Sequence, residues 1–261
     1  MVKRKVGWVF VVVVCLALLM GGSTASVAAE KEVYIVGCEV AWPPFEMVDE
    51  AGNYVGFDLD VMRAIAEVEG YKIEIVDVPW DTIIAGVLAG KYDIGASGFT
   101  ITAERAESVD FSKPYYVSDQ AVLIRTDSGL NIVTALGDGR KVGAQRGTTG
   151  AGWINDNLIE KGVKVNLKLY ETYPLAVLDL INKNIDAVVQ DEPASRASAA
   201  KEKERIEVAG IIVTGEEFGF LVQKGDPYGL LPKINEGMKK LKASGEWDRL
   251  MTKYFVEYFA E

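Results

Sequence analysis

Arg105 stands in an unusual place for a permanent cation. The segment "GASGFTITAERAESVDFSKPYY" (Gly95 to Tyr116) leads from a small polar loop with Ser97, Gly98, Thr100 and Thr102 into a helix expected from about Thr102 to Val109. Arg105 falls in that helix's first turn, where the macrodipole is already positive. Free backbone N–H groups at a helix start hold anions, and Gly98 lets the backbone approach a ligand closely. A guanidinium fork there suits a planar carboxylate. The plain alternative is a surface arginine paired with Glu104 or Asp110.

Other segments carry complementary chemistry. "AQRGTTGAGW" (Ala144 to Trp153) leaves a strand, holds three glycines and opens a helix beside the Thr148 and Thr149 hydroxyls. It has neither the Gly-Lys-Ser/Thr ending of a P-loop nor GxGxxG spacing, so it suits a small anion, or a plain N-cap threonine, better than a nucleotide. Asp191 ends "IDAVVQDEP", at the C-terminal end of a buried strand, where α/β proteins place ligands. It could hold an ammonium group or cap the helix that starts at Pro193. Glu39 and Trp42 follow the first strand in "CEVAWPPFE", and Trp80 follows another in "VPWDT". A tryptophan pair can grip a flat or cationic side chain, at about 0.5–2 kcal/mol per contact, or simply fill a core.

These residues need a frame, and the chain spells one out as alternating strands and helices. "VYIVGC", "KIEIVDV" and "YDIGAS" read as strands, separated by the helices "DLDVMRAIAEVEG" and "TIIAGVLAG". In the first helix Val61, Ile65 and Val68 form an apolar face that stops at Gly70. The same grammar returns in the strands "RKVGAQ", "VNLKLY" and "IDAVVQ" and the helices "GWINDNLIEKG", "YPLAVLDLINKN" and "PASRASAAKEK". "FGFLVQ" and two helices through Leu241 and Phe255 close the chain. The succession predicts an α/β protein with mainly parallel sheets. "LAGKYDIGASG" (Leu88 to Gly98) echoes "INKNIDAVVQD" (Ile181 to Asp191), which points to a repeated architecture of two lobes with the chemistry facing the gap between them.

Composition narrows the function. The 261 residues carry a net charge of −10, which argues against a nucleic-acid partner, and no histidine, which excludes Ser-His-Asp and Cys-His catalysis and His-ligated metals. No metal or cofactor is expected. Lys3, Arg4 and Lys5, the apolar run Trp8 to Met20, and small residues at Val27 and Ala29 read as a signal peptide over residues 1–29, or else as an uncleaved anchor. Its removal takes three positive charges with it, moving the net charge from −10 to −13, and leaves Cys38 as the single cysteine, without an internal disulfide.

Six motifs in order, "PPFE" (Pro43 to Glu46), "GFDLDVMRAIA" (Gly56 to Ala66), "GFTITAER" (Gly98 to Arg105), "DFSKPYY" (Asp110 to Tyr116), "RGTTG" (Arg146 to Gly150) and "DAVVQDEP" (Asp186 to Pro193), carry a family likeness. The chain resembles the extracellular solute-binding proteins of family 3, polar amino-acid receptors of ABC importers. It departs from the usual pattern at Glu69, where an apolar residue is common; Val68 is expected to fill that stripe. The resemblance implies a two-lobed, type II periplasmic-binding-protein-like fold with two crossover strands. Lobe 1 would comprise residues 30–119 and 219–261, and lobe 2 residues 120–218. It implies that Arg105 clamps a ligand α-carboxylate, assisted by Thr100 and the Thr149 backbone. Asp191 would take the α-ammonium, with help from the Gly98 carbonyl beside Ser97. Trp42 and Trp80 would sandwich the side chain, and Glu39 and Gln145 would read its tip, with Gln190 also suited to a polar tip. An acid beside paired tryptophans favours arginine, then lysine, with glutamine next. The rival is an enzyme of the same fold, such as a cyclohexadienyl-type dehydratase, for which a second catalytic group is not evident. The expected setting is outside the cytoplasmic membrane, as a monomer that serves a permease.

Overall fold

A computed structural model describes residues 31–259; the expected leader, residues 1–29 with Cys15, lies outside the described residues. The chain begins with β1 (Tyr34–Cys38), the short pair β2 (Met47–Val48) and β3 (Tyr54–Val55), α1 (Phe57–Glu69), β4 (Ile73–Asp77), α2 (Trp80–Leu88), β5 (Ile94–Gly95), α3 (Ala103–Ser108) and β6 (Val109–Phe111). The long β7 (Tyr116–Arg125) then leads into a second unit. That unit holds α4 (Ile132–Ala135), β8 (Arg140–Gln145), α5 (Thr149–Ile154) with a π-turn at Asn155–Ile159, β9 (Val165–Tyr170), α6 (Tyr173–Ile181), β10 (Ala187–Asp191), α7 (Glu192–Lys201) and β11 (Ile206–Phe218). The chain returns through β12 (Leu221–Gln223) and ends with α8 (Leu230–Ser244), α9 (Glu246–Phe255) and a 3-10 turn at Glu257–Phe259.

The molecule is a two-lobed α/β protein with two five-stranded sheets. The first has the order β4-β1-β5-β12-β6 and the second, taken from its far edge, β9-β8-β10-β7-β11. The two orders correspond strand for strand. β1 is parallel to β4 and β5, as β8 is to β9 and β10. β12 is antiparallel to β5 and β6, as β7 is to β10 and β11. The sheets are therefore mixed rather than mainly parallel. The parallel pairs come from βαβ units, whose helices supply the crossover. The antiparallel pairs come from the strands that carry the chain between lobes. The repeated segments noted in the sequence fall on β5 and β10, which hold matching central positions.

Apolar periodicity explains how the layers pack. α1 turns Val61, Met62, Ile65 and Ala66 into the core and packs on α8 and α9. Val68 does not extend this stripe: it is 41 % exposed. Glu69 stays on the packed side instead, because Lys240 of α8 reaches it at 2.9 Å. On the other face of the sheet, Ile83 and Val87 of α2 pack with Phe99, Val109 and Leu221. In the second lobe Val122, Val142, Ile154, Ala187 and Val189 form the corresponding core. Pairing changes sheet between Phe111 and Tyr116 and again between Phe218 and Leu221, so position 119/120 lies inside β7. The strands' C-terminal ends meet across the gap.

Candidate functional site

The first lobe lays down an aromatic floor and a single cation. Gly98 has φ +56°, and a Cβ there would lie 2.1 Å from the Trp42 ring, so only glycine fits. Its N–H is held by Asp58 Oδ2 at 2.9 Å, which in turn accepts from the Tyr115 hydroxyl at 2.6 Å. Trp42 stacks on Phe45 with 4.7 Å between centroids, and Trp80 stacks on Phe99 at 4.4 Å. The Arg105 guanidinium lies over the Trp80 ring at 5.5 Å and the Phe99 ring at 5.7 Å. Thr102 caps α3 by accepting the Arg105 N–H at 3.1 Å, which fixes where that side chain starts. The guanidinium then donates to the Thr100 carbonyl at 2.9 Å and, across the gap, to the Gly147 carbonyl at 3.0 Å. Neither Glu104 nor Asp110 takes it as an ion pair; Asp110 is bound to Lys224 at 2.9 Å. Burial pulls the guanidinium below its ordinary pKa, while the charges of Asp191 and Glu216 hold it up.

The second lobe closes the site with small polar groups. Thr148 caps α5, and its hydroxyl accepts from Tyr173 at 3.1 Å. Gln145, at the end of β8, donates its amide to both oxygens of Glu39 at 2.8 and 3.1 Å. Glu39 is buried, and burial raises its pKa against the opposing pull of the Gln145 bond. Asp191 is the N-cap residue of α7, but its side chain makes no capping bond. It accepts instead from Gln120 Nε2 at 3.1 Å. Burial, with the charge of Glu216, pushes Asp191 up to about 8. Asp77 and Asp81 are the acids that act on Glu39, whereas Glu216 acts on Asp191. The two acids therefore mark different ends of the site.

Together these groups enclose a narrow cavity lined by Glu39, Trp42, Trp80, Ser97, Gly98, Thr100, Arg105, Gln145, Thr149 and Asp191. Of the residues singled out in the sequence, only Gln190 is not brought there. Alternation along β10 sends it to the face opposite Asp191, where its amide meets Ser198 Oγ at 3.3 Å. Thr148 and Tyr173 also line the cavity. Tyr173 begins α6 three residues past β9, as Trp80 begins α2 three residues past β4, so the repeat was the signal that could have found it. Glu216 and Gln120 lie just behind the lining. They sit on the long crossover strands β11 and β7, whose mixed polar and apolar pattern gives little sign of a site.

The comparisons with known proteins fit this geometry. Residues 34–257 match the bacterial extracellular solute-binding proteins, family 3. The chain belongs to that family. Among its relatives is a probable histidine-binding protein of Neisseria gonorrhoeae, 32 % identical over 96 % of this chain and 96 % of the relative. Among solved structures, an ancestral arginine-binding protein bound to arginine is 35 % identical with a TM-score of 0.79, covering 86 % of this chain and 99 % of that one. The same description applies to a complex with glutamine, at 35 % and 0.78, covering 86 % and 98 %. An ancestral amino acid-binding protein that is a precursor of cyclohexadienyl dehydratase matches at 35 % and 0.78, covering 86 % and 96 %. This family 3 protein thus shares its fold with binding proteins and with the forerunner of an enzyme. Among its described residues no helix is long and apolar enough to cross a membrane.

Proposed function

We propose that this family 3 protein is an exported receptor that binds a polar amino acid between its lobes and presents it to an ABC permease. Arginine is the favoured ligand, followed by lysine. One observation carries the reading: Arg105 is held over Trp80 and Phe99 by two carbonyls and no carboxylate, with Asp191 and Glu39 at separate ends of one cavity. An α-carboxylate on Arg105, an α-ammonium on Asp191 and a cationic tip on Glu39 would match each charge in turn. Ser97, Gly98, Thr100 and Thr149 would frame the α-carbon end, and Trp42, Trp80 and Gln145 the side chain. Residues 30–119 with 219–261 would close on residues 120–218, because only the closed state offers the ligand both halves. Binding without turnover follows from the same lining, whose acids are each matched to a ligand charge and leave none aimed at a reacting bond.

Glutamine is the second reading. The glutamine complex of a 35 % identical protein favours it, and Glu39 can accept from an amide. Thermal shift and calorimetry with arginine, lysine, histidine, glutamine and cystine test the proposal. Ligand at about 100 times its Kd should add about 2.7 kcal/mol of stability. Arginine binding most tightly supports the reading, and glutamine binding alone moves the ligand choice. Binding of no amino acid, or turnover of a cyclohexadienyl-type substrate, overturns the receptor.

A further inference from the structure

Glu216 lies just before the strand returns to lobe 1, and it joins hydroxyls from both lobes. Thr100 Oγ1, from lobe 1, donates to Glu216 Oε2 at 2.8 Å, and Thr149 Oγ1, from lobe 2, donates to the same oxygen. The other oxygen, Oε1, accepts from Gln120 Nε2 at 3.1 Å, and that amide also serves Asp191. A carboxylate only accepts, and a hydroxyl has one proton. Both threonine protons are therefore spent on Glu216. The two hydroxyl oxygens, 3.4 Å apart, have no proton left for each other or for a ligand. Both residues line the cavity, so each hydroxyl can offer a ligand only lone pairs.

We infer that Glu216 is a positioning residue that turns the Thr100 and Thr149 hydroxyls into acceptors and so selects a ligand carrying an ammonium group beside Asp191. The inference rests on the amino-acid receptor reading above. Thr100, Thr149 and Asp191 then form a cluster of acceptors to which a hydroxyl or carboxylate in the ammonium's place offers a poor match. The device also depends on closure, since one oxygen can order both hydroxyls only when the lobes meet.

Glu216→Gln breaks the device with little change in shape. The amide cannot serve both sides. With its oxygen on the threonines, its NH2 group faces the Gln120 donor that also holds Asp191; with its oxygen on Gln120, its NH2 group faces the threonines. Either the hydroxyls turn back toward the cavity or the Gln120–Asp191 bond is lost. The experiment titrates wild type and Glu216→Gln with two ligand pairs: arginine and 5-guanidinopentanoate, and glutamine and 4-carbamoylbutanoate. The second member of each pair lacks only the α-ammonium. For whichever amino acid wild type binds more tightly, Glu216→Gln should weaken it at least tenfold and weaken its des-amino partner less than threefold. Thr149→Val, which leaves Glu216 in place, should shift the ratio in the same direction and serves if Glu216→Gln does not fold. An equal loss for both members of a pair, or no loss, overturns the role of Glu216. Failure of wild type to bind any amino acid instead overturns the receptor reading on which it rests.

Discussion

The two lobes share one plan and fill it with opposite chemistry. At the end of the first strand of each repeat stand Glu39 and Gln145; three residues past the second stand Trp80 and Tyr173; at the end of the third stand the Ser97–Gly98 turn and Asp191. Lobe 1 puts the bulk and the cation on its side: two tryptophans, each backed by a phenylalanine, and Arg105 lying on one of them. Lobe 2 answers with an amide, two hydroxyls, a phenol and a carboxylate. The difference teaches a division of labour. One half is a preorganised surface on which a ligand can settle. The other holds small groups that reach across the gap, as Gln145 does to Glu39 and the Gly147 carbonyl to Arg105.

The Glu39–Gln145 pair offers the sharpest way to break that comparison. If Glu39 meets a cationic tip, Glu39→Gln leaves that cation buried without its counter-charge and should cost arginine about 3–5 kcal/mol. Glutamine, which needs only a neutral hydrogen bond, should lose nearer ~1 kcal/mol. Paired calorimetric titrations of both proteins with arginine and glutamine read the difference directly. Equal losses for the two ligands would remove Glu39 from the side-chain end.

Next in size is the cation of lobe 1. Arg105→Lys keeps the charge but gives up the planar fork and its stacking on Trp80. Binding should weaken by at least ~2 kcal/mol, within the range for charged hydrogen bonds. Unchanged affinity by calorimetry would mean that Arg105 is only a strut between the Thr100 and Gly147 carbonyls.

The acid of lobe 2 should show itself in pH dependence. Asp191, pushed up to about 8 by burial and by Glu216, gives up its proton less readily than an ordinary carboxyl, yet an ammonium needs the carboxylate. Binding then releases a proton, so affinity should rise with pH up to about 8 and flatten above it. The slope approaches tenfold, about 1.4 kcal/mol, per pH unit. Asp191→Asn should bind more weakly and lose the slope. Titrations between pH 6 and 9 check both; a flat wild-type profile would place the ammonium elsewhere.

Much of this was legible in the sequence because strands, helices and glycine turns mark themselves locally. Gly98 and Arg105 were readable from one loop, and the echo between residues 88–98 and 181–191 foretold matching central strands. What escaped has physical reasons. β7 and β11 pair with each other across some ninety residues, so nothing near Glu216 or Gln120 shows that they end beside Asp191. Gln190 was misplaced by a one-residue alternation on β10, a matter of register rather than composition. Val68 and Glu69 exchanged roles because α8 supplies Lys240, a partner far away in sequence.

The smallest expected effect concerns what supports each half. Behind the Gly98 turn of lobe 1 lie two acids, Glu46 and Asp58, both without exposed surface. Asp58 is committed to the Gly98 N–H and Tyr115. Burial, with the neighbouring charge of Asp58, raises Glu46 well above the ordinary carboxylate range, and burial lifts Asp58 to about 6, so the folded pair keeps a proton at a pH where the unfolded chain has given it up. The sign follows from linkage. A carboxyl whose folded pKa lies above its unfolded value contributes stability below about pH 4 and loses it as pH rises through the folded value. Wild type should therefore lose stability from acid toward neutral pH relative to a variant without this proton. Glu46→Gln keeps the shape, cannot ionise, and brings an amide donor to Asp58, whose Oδ1 has no partner. It should gain on the order of 1 kcal/mol near pH 8, or about 2–4 °C in Tm for a chain of this size, and gain little at pH 4. Melting curves of both proteins across that range decide the matter. A pH-independent difference would show that Glu46 acts by packing alone, and a loss at every pH would show that its charge is used. Asp191 of lobe 2, pushed up to about 8, gives wild type a pH dependence of the same sign, so it is the difference between wild type and Glu46→Gln that isolates the pair in lobe 1.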